Sequence, residues 1–179
     1  MKRILCAAIA FAAAFAVSAP MYAQATAQVE SPYAPYAFLI GEWRSDQIIQ
    51  RFSWGPSNSY ITYSTSILGD GGVEHLHFEG ILVFNAASRR LDYLFVVEPG
   101  SSGQEQGEVY IGEDGAVVRD VTLTNGSGQT NHFRQTFRAS GPDAAITSLM
   151  RQDVDGSWSP NFPGSDRLTM TRVHRSSAM

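Results

Sequence analysis

From residue 42 onward, apolar and polar side chains alternate with a period of two, and no helical period interrupts them. A chain of this kind is committed to strands, because period-two alternation gives a strand one face for the core and one for water. Clusters of turn-forming residues cut the pattern at short intervals: Gly69-Asp70-Gly71-Gly72, Pro99-Gly100, Glu113-Asp114-Gly115, Asn125-Gly126-Ser127-Gly128, Ser140-Gly141-Pro142-Asp143 and Asp155-Gly156. Between them lie segments rich in Val, Ile, Thr, Tyr and Phe. These predict strands near 42–53, 59–68, 73–85, 90–98, 107–111, 116–124, 131–139, 144–152 and 166–173. Strands joined by such short links pair antiparallel with their neighbours. An open sheet of this size leaves two unpaired edges, and closure removes them. The expectation is an all-β fold, an antiparallel up-and-down β-barrel of eight to nine strands, with a sandwich as the competing arrangement. An eight-stranded barrel has an interior just wide enough for side chains or one small ligand.

The first residues follow a different rule. Lys2 and Arg3 precede an unbroken apolar run from Ile4 to Val17, and Ala23-Gln24-Ala25 then offers small residues in an A-x-A cleavage pattern. This is the three-part arrangement of a secretory signal peptide. The run is too short for a bilayer span, which needs about 20 apolar residues. Cleavage after Ala27 would serve equally well. Cys6 stands near the start of the run, away from the position of a lipid-bearing cysteine. The expected organisation is a signal peptide over 1–25, an N-terminal tether over 26–37 containing Pro32 and Pro35, and a β-barrel domain over 38–175. The expected location is periplasmic or secreted, with no membrane insertion after cleavage.

Removal of 1–25 would also take away the only cysteine, Cys6, and the only lysine, Lys2. Thiol nucleophiles, thiolate metal sites and Schiff bases would go with them. The 17 acidic residues would remain, and net charge would become more negative than the −4 of the full chain. Such a domain repels nucleic acid and anionic lipid, so no nucleic-acid partner is expected.

The segment Phe38-Leu39-Ile40-Gly41-Glu42-Trp43 resembles the entry strand of the calycin superfamily of lipocalins and fatty-acid-binding proteins. In lipocalins a G-x-W opens the first strand after a short helical turn. Gly41-Glu42-Trp43 is similar to that motif, and Pro35–Leu39 supplies the turn. The wider pattern, residues 38–173, resembles lipocalin-like bacterial domains of unassigned function. The resemblance implies a calycin/lipocalin-like barrel and a ligand-binding interior. It also implies that Trp43 closes one barrel end and packs against an Arg of the last strand, the place held by Arg172. A guanidinium over an indole face is a cation–π contact. No catalytic residue is implied.

Three groups of residues bear on chemistry. In His75-Leu76-His77-Phe78-Glu79, alternation puts His75, His77 and Glu79 on one face. Two imidazoles and a carboxylate suit a divalent first-row transition metal. The same residues also suit the polar outer face of a half-buried strand, with Leu76, Phe78, Leu82 and Phe84 in the core and Gly80 marking a bulge. In Asn131–Arg138, His132, Arg134, Thr136 and Arg138 share a face. Arg134 would clamp a carboxylate if that face lined a lumen, or pair with Glu108 or Asp120 if it faced outward. The aromatics Trp54, Tyr60, Tyr63, Trp158 and Phe162 stand at strand ends and in the link 153–166. That link would be either a lid or a plug for one mouth.

No G-x-S-x-G elbow, phosphate-binding glycine loop, H-E-x-x-H or zinc-type cysteine pair occurs, and no cofactor is expected. The leading functional expectation is an exported soluble barrel that binds a small, mostly apolar molecule. Its candidate ligand-facing residues are Trp54, Tyr63, His75, His77, Glu79, His132, Arg134 and Trp158. One alternative is an envelope enzyme. It would be metal-assisted through the His-x-His-x-Glu strand, or a metal-free cyclase or isomerase with Glu79 as base and His132 as acid. Another is a structural or interaction module without a pocket. A homodimer is compatible with each.

Overall fold

The computed structural model describes residues 31–98 and 101–174. Residues 1–25, expected to be a signal peptide and holding Cys6 and Lys2, lie outside the described residues, as does the part of the expected tether up to residue 30. A short 3-10 turn, Ala34–Leu39, leads into eleven strands: β1 Gly41–Arg44, β2 Ile48–Trp54, β3 Ile61–Leu68, β4 Glu74–Asn85, β5 Arg90–Val97, β6 Gly103–Ile111, β7 Val117–Thr124, β8 Thr130–Gly141, β9 Ala144–Gln152, β10 Trp158–Pro160 and β11 Leu168–Val173. Every pairing is antiparallel. From β1 to β9 each strand pairs with its successor, β9 pairs with β11, and β11 returns to β1. Ten strands thus close an up-and-down barrel, and β10 is an addition to the far half of β9. An all-antiparallel closed barrel is compatible with a calycin-like fold.

The strand count corrects the expected eight to nine, for a local reason. The predicted strand 42–53 is a hairpin. Ser45 folds its hydroxyl back to accept hydrogen bonds from the backbone N–H groups of Gln47 (3.1 Å) and Ile48 (3.0 Å), and the chain reverses there. Glu42 and Trp43 then face Arg51 and Gln50 across the turn. Alternation cannot reveal a turn this tight, because the pattern runs on through it.

The 3-10 turn closes one end of the barrel. Tyr36 and Leu39 are buried in the core, as is Tyr33 just before it, so part of the segment expected as a tether belongs to the domain's interior. The Tyr33 hydroxyl donates to the Ser59 carbonyl (2.7 Å) and accepts from the Phe84 N–H (2.9 Å). Trp43 is buried and donates its indole N–H to the Leu39 carbonyl (2.7 Å). Directly across the β1–β11 seam stands Arg172, with its guanidinium 4.2 Å from the Trp43 ring centroid. The same guanidinium donates to the carbonyls of Phe38 (2.7 Å) and Ile40. Gly41 has φ +131°, a conformation that favours glycine, and a Cβ there would lie 2.8 Å from the Arg172 Nη1, so a larger residue would also push the guanidinium aside.

Above this plug the core is aromatic. Phe52 stacks on Tyr63 with centroids 4.4 Å apart, and Phe137 meets Phe52 edge-on at 5.7 Å. Gly80 sits in regular register with Tyr63 and Phe95 and marks no bulge. A Cβ there would come within 2.8 Å of the Phe95 Cα, so its role is close approach of neighbouring strands. The β4 bulge lies earlier. Thr65 pairs with Phe78 and Ser66 with Leu76, which leaves His77 as the extra residue.

Candidate functional site

At the end opposite the plug the barrel opens into a cavity of about 130 Å³. Its walls are apolar: Ile48 and Ile67 from β2 and β3, Phe78 from β4, Leu123 from β7, Phe133 from β8 and Leu149 from β9. Its floor is polar and carries Gln50, Thr65, Glu105, Arg119 and Gln135. His77, Asn161 and Phe162 complete the lining. An apolar enclosure with a few convergent polar groups is the usual form of a small-molecule site. Below the floor lies a void of about 20 Å³, room for about one water.

The floor is built by inward-facing positions of strands far apart in sequence. Arg119 Nη1 donates to Glu105 Oε2 at 2.8 Å, with side-chain exposures of 8% and 1%. Tyr93 donates its hydroxyl to the same carboxylate oxygen at 2.5 Å, and Arg119 Nη1 also reaches that hydroxyl. The guanidinium carbon lies 5.0 Å from the Tyr93 ring centroid. Beside this triad is an amide cluster. Gln50 and Gln135 exchange hydrogen bonds of 3.3 and 3.5 Å, Gln135 Nε2 donates to Thr147 Oγ1 (3.1 Å), and Gln50 Nε2 donates to Thr65 Oγ1 (3.2 Å) and the Tyr63 hydroxyl. Buried polar groups survive only when they are matched in this way.

Two buried side-chain atoms among the described residues break the rule, Gln47 Oε1 and, in this floor, Arg119 Nε. Arg119 Nε is buried and has no hydrogen-bond partner among the described residues. Burial pulls the Arg119 pKa down, but the Glu105 carboxylate and the two nearby phenols outweigh it and hold it above its ordinary value. Burial likewise pushes the Tyr63 and Tyr93 phenols up, with Arg119 pulling the other way, so both stay protonated and Tyr93 keeps its proton to donate.

The link 153–166 is fastened over this mouth. The Asn161 N–H donates to the Leu149 carbonyl (3.0 Å), the Leu149 N–H donates to the Ser165 carbonyl (2.6 Å), and the Ser165 hydroxyl donates to the Leu149 carbonyl (2.8 Å). Asn161 and Phe162 are thereby held at the rim by the same β9 edge that pairs with β10 and β11.

Of the eight residues named from sequence, His77 lines the cavity and Tyr63 places its hydroxyl in the network beneath it. The bulge turns His77 inward together with Phe78, and its Nδ1 lies 3.4 Å from Glu98 Oε1. Its sequence companions go elsewhere. His75 is exposed beside Gly69, and Glu79 is exposed on the outer face of β4. Among the described residues no group of three or more His, Cys, Asp or Glu converges. His132 is exposed on β8 with its Nδ1 3.2 Å from Thr122 Oγ1, and β8 and β4 are not neighbours, so His132 and Glu79 are apart. Arg134 faces outward, paired with Asp120 at 2.5 Å, and its guanidinium lies 4.5 Å over the Trp158 ring. Trp54 belongs to the plugged end, edge-on to Tyr33 at 6.1 Å.

Sequence reasoning passed over Gln50, Glu105, Arg119 and Gln135. They carried a signal nonetheless. Each stands at an inward position bracketed two residues away by glycine or apolar side chains: Ile48 and Phe52 around Gln50, Gly103 and Gly107 around Glu105, Val117 and Val121 around Arg119, Phe133 and Phe137 around Gln135. No protein-family model matches the chain, and no match to it is found among curated proteins.

Proposed function

We propose that this chain is an exported, soluble, calycin-like barrel that binds a small, mostly apolar molecule in the cavity at its open end. The observation that carries the reading is the cavity itself, with six apolar wall residues over a buried polar floor. The walls would remove apolar surface from water, and the floor would orient the bound molecule. The plug at the other end, built on Trp43 and Arg172, leaves a single mouth for entry in this reading.

The test uses toluene, a neutral single-ring probe of the size a cavity of about 130 Å³ admits. Saturable NMR shifts of the Leu123 and Phe133 backbone amides are expected with the native protein. They should be lost in Leu149→Trp, which fills the cavity from β9, while the melting temperature of that variant stays close to native. Absence of saturable shifts with the native protein, or their persistence in the filled variant, would count against the cavity as the binding site.

One observation favours a second reading, a surface that pairs with another copy of the chain. Ile81 and Val83 on β4 and Leu94 and Val96 on β5 form an outward apolar patch, with Leu94 the most exposed at 55%. A contiguous patch of this kind marks an interaction surface more often than scattered apolar residues do. Sedimentation of the native chain against Leu94→Lys tests it: a dimer that dissociates in the variant supports it, and a native monomer removes it.

A further inference from the structure

We infer that the bound molecule carries a neutral head group with both a hydrogen-bond donor and an acceptor, an amide-like group, and that the cavity floor discriminates against carboxylates and ammonium groups. The inference rests on the cavity being a binding site and concerns what the floor selects.

The charge balance of the floor is the first ground. Arg119 and Glu105 are the charged residues of the cavity lining, and they are already paired at 2.8 Å. A carboxylate approaching Arg119 would sit beside the Glu105 carboxylate in a poorly solvated space. An ammonium approaching Glu105 would meet the guanidinium. Either ion adds an uncompensated buried charge, whereas a neutral dipole adds none.

The distribution of hydrogen bonds is the second ground. Both bonds that Arg119 donates leave from Nη1, and its Nε has no partner. Both bonds that reach the Glu105 carboxylate fall on Oε2. The pair therefore leaves one guanidinium donor and one carboxylate oxygen outside its own hydrogen bonds, and because Nε is itself buried, a small shift of the Arg119 side chain brings that donor to a bound molecule. A carbonyl accepts from the first and an N–H donates to the second. In the neighbouring amide cluster the N–H groups of Gln50 and Gln135 are taken up by Tyr63, Thr65, Thr147 and each other, and the Gln50 carbonyl oxygen, which accepts one bond, can accept a second.

Benzamide, benzoate and benzylammonium share one ring and differ in the head group alone, and near pH 7 they are neutral, anionic and cationic. Each is titrated into the isotopically labelled native protein, with backbone amides of Leu123, Phe133 and Leu149 and the Arg119 Nε–H followed by NMR. Benzamide is expected to shift these signals saturably and to bind at least about ten-fold tighter than either ion, the factor that one unmatched buried polar group costs. In Glu105→Gln the order should reverse, with benzoate tightest, because the guanidinium then lacks its counter-charge. Benzoate binding the native protein as tightly as benzamide would overturn the inference and leave the binding site standing. Failure of all three probes to move the cavity signals would overturn both. The native comparison decides the matter even if Glu105→Gln does not fold.

Discussion

Arg119 on β7 and Glu105 on β6 form an ion pair at 2.8 Å inside the barrel, both almost completely withdrawn from solvent. They are not cross-strand partners. Glu105 faces Leu123 and Arg119 faces Val109, so the guanidinium reaches along the barrel axis to the carboxylate. The pair separates the aromatic core from the open cavity.

Removing one member should cost more than removing both. Arg119→Met leaves the Glu105 carboxylate buried without its cation, and a loss of about 3–5 kcal/mol is expected. The double variant Arg119→Met with Glu105→Leu removes the stranded charge and should recover a large part of that loss. Urea unfolding of the native, single and double variants reads the difference. Additive losses would show that the two side chains do not act as a unit.

A second charge cluster makes stability depend on pH. On the outer face Arg51 holds Glu74 through paired hydrogen bonds, one of them 2.8 Å, and the Ser66 hydroxyl adds another at 2.7 Å. Hydrogen bonding from Arg51 is the largest cause, and it holds the Glu74 carboxyl at about 2 against an ordinary 4.5. The folded-state value is the lower one, so the contribution is present in full above about 4.5 and is lost as pH falls towards 2. The exposure of the pair keeps the effect small. Glu74→Gln should therefore be less stable than the native protein at pH 6 and should approach it by about pH 2. A stability gap that stays constant over that range would contradict the assignment.

Arg172 anchors the plugged end through the Trp43 ring face and the carbonyls of Phe38 and Ile40, and its Nε donates to the Pro142 carbonyl as well. Arg172→Ala should lose about 1–3 kcal/mol by thermal or urea unfolding. Arg172→Lys keeps the charge but has no planar fork to serve the Phe38 and Ile40 carbonyls while lying over Trp43. Lysine should therefore recover less than half of the loss. Full recovery would mean that charge alone matters there.

Export predicts a particular mature chain. Protein recovered from the envelope or medium of the producing cells should have an intact mass that begins at Thr26, or at Gln28 if cleavage follows Ala27. An intact mass that includes residues 1–25 would overturn the signal-peptide reading.

How much of this was legible beforehand can be judged strand by strand. The β5 run Arg90–Val97 alternates without a break, and its predicted span differs from the observed one by a residue. β2 and β1 were merged because Ser45 turns the chain without disturbing the pattern. The Trp43 and Arg172 neighbourhood was legible through the G-x-W resemblance, and the two residues do stand opposite each other. The site was much less legible. His75, His77 and Glu79 share a face only if the strand is regular, and one extra residue at His77 sends them in different directions.

The sequence by itself determined that this chain forms a succession of antiparallel strands with closely spaced turns, because period-two alternation and turn chemistry are local properties. Only the tertiary structure decided what the interior holds. Gln50 and Gln135 are 85 residues apart and meet because the sheet closes. Arg119 and Glu105 are legible as inward-facing from their apolar and glycine neighbours, but that they neutralise each other depends on barrel width, tilt and stagger. Those quantities come from the pairing of all ten closing strands at once, and no single strand encodes them.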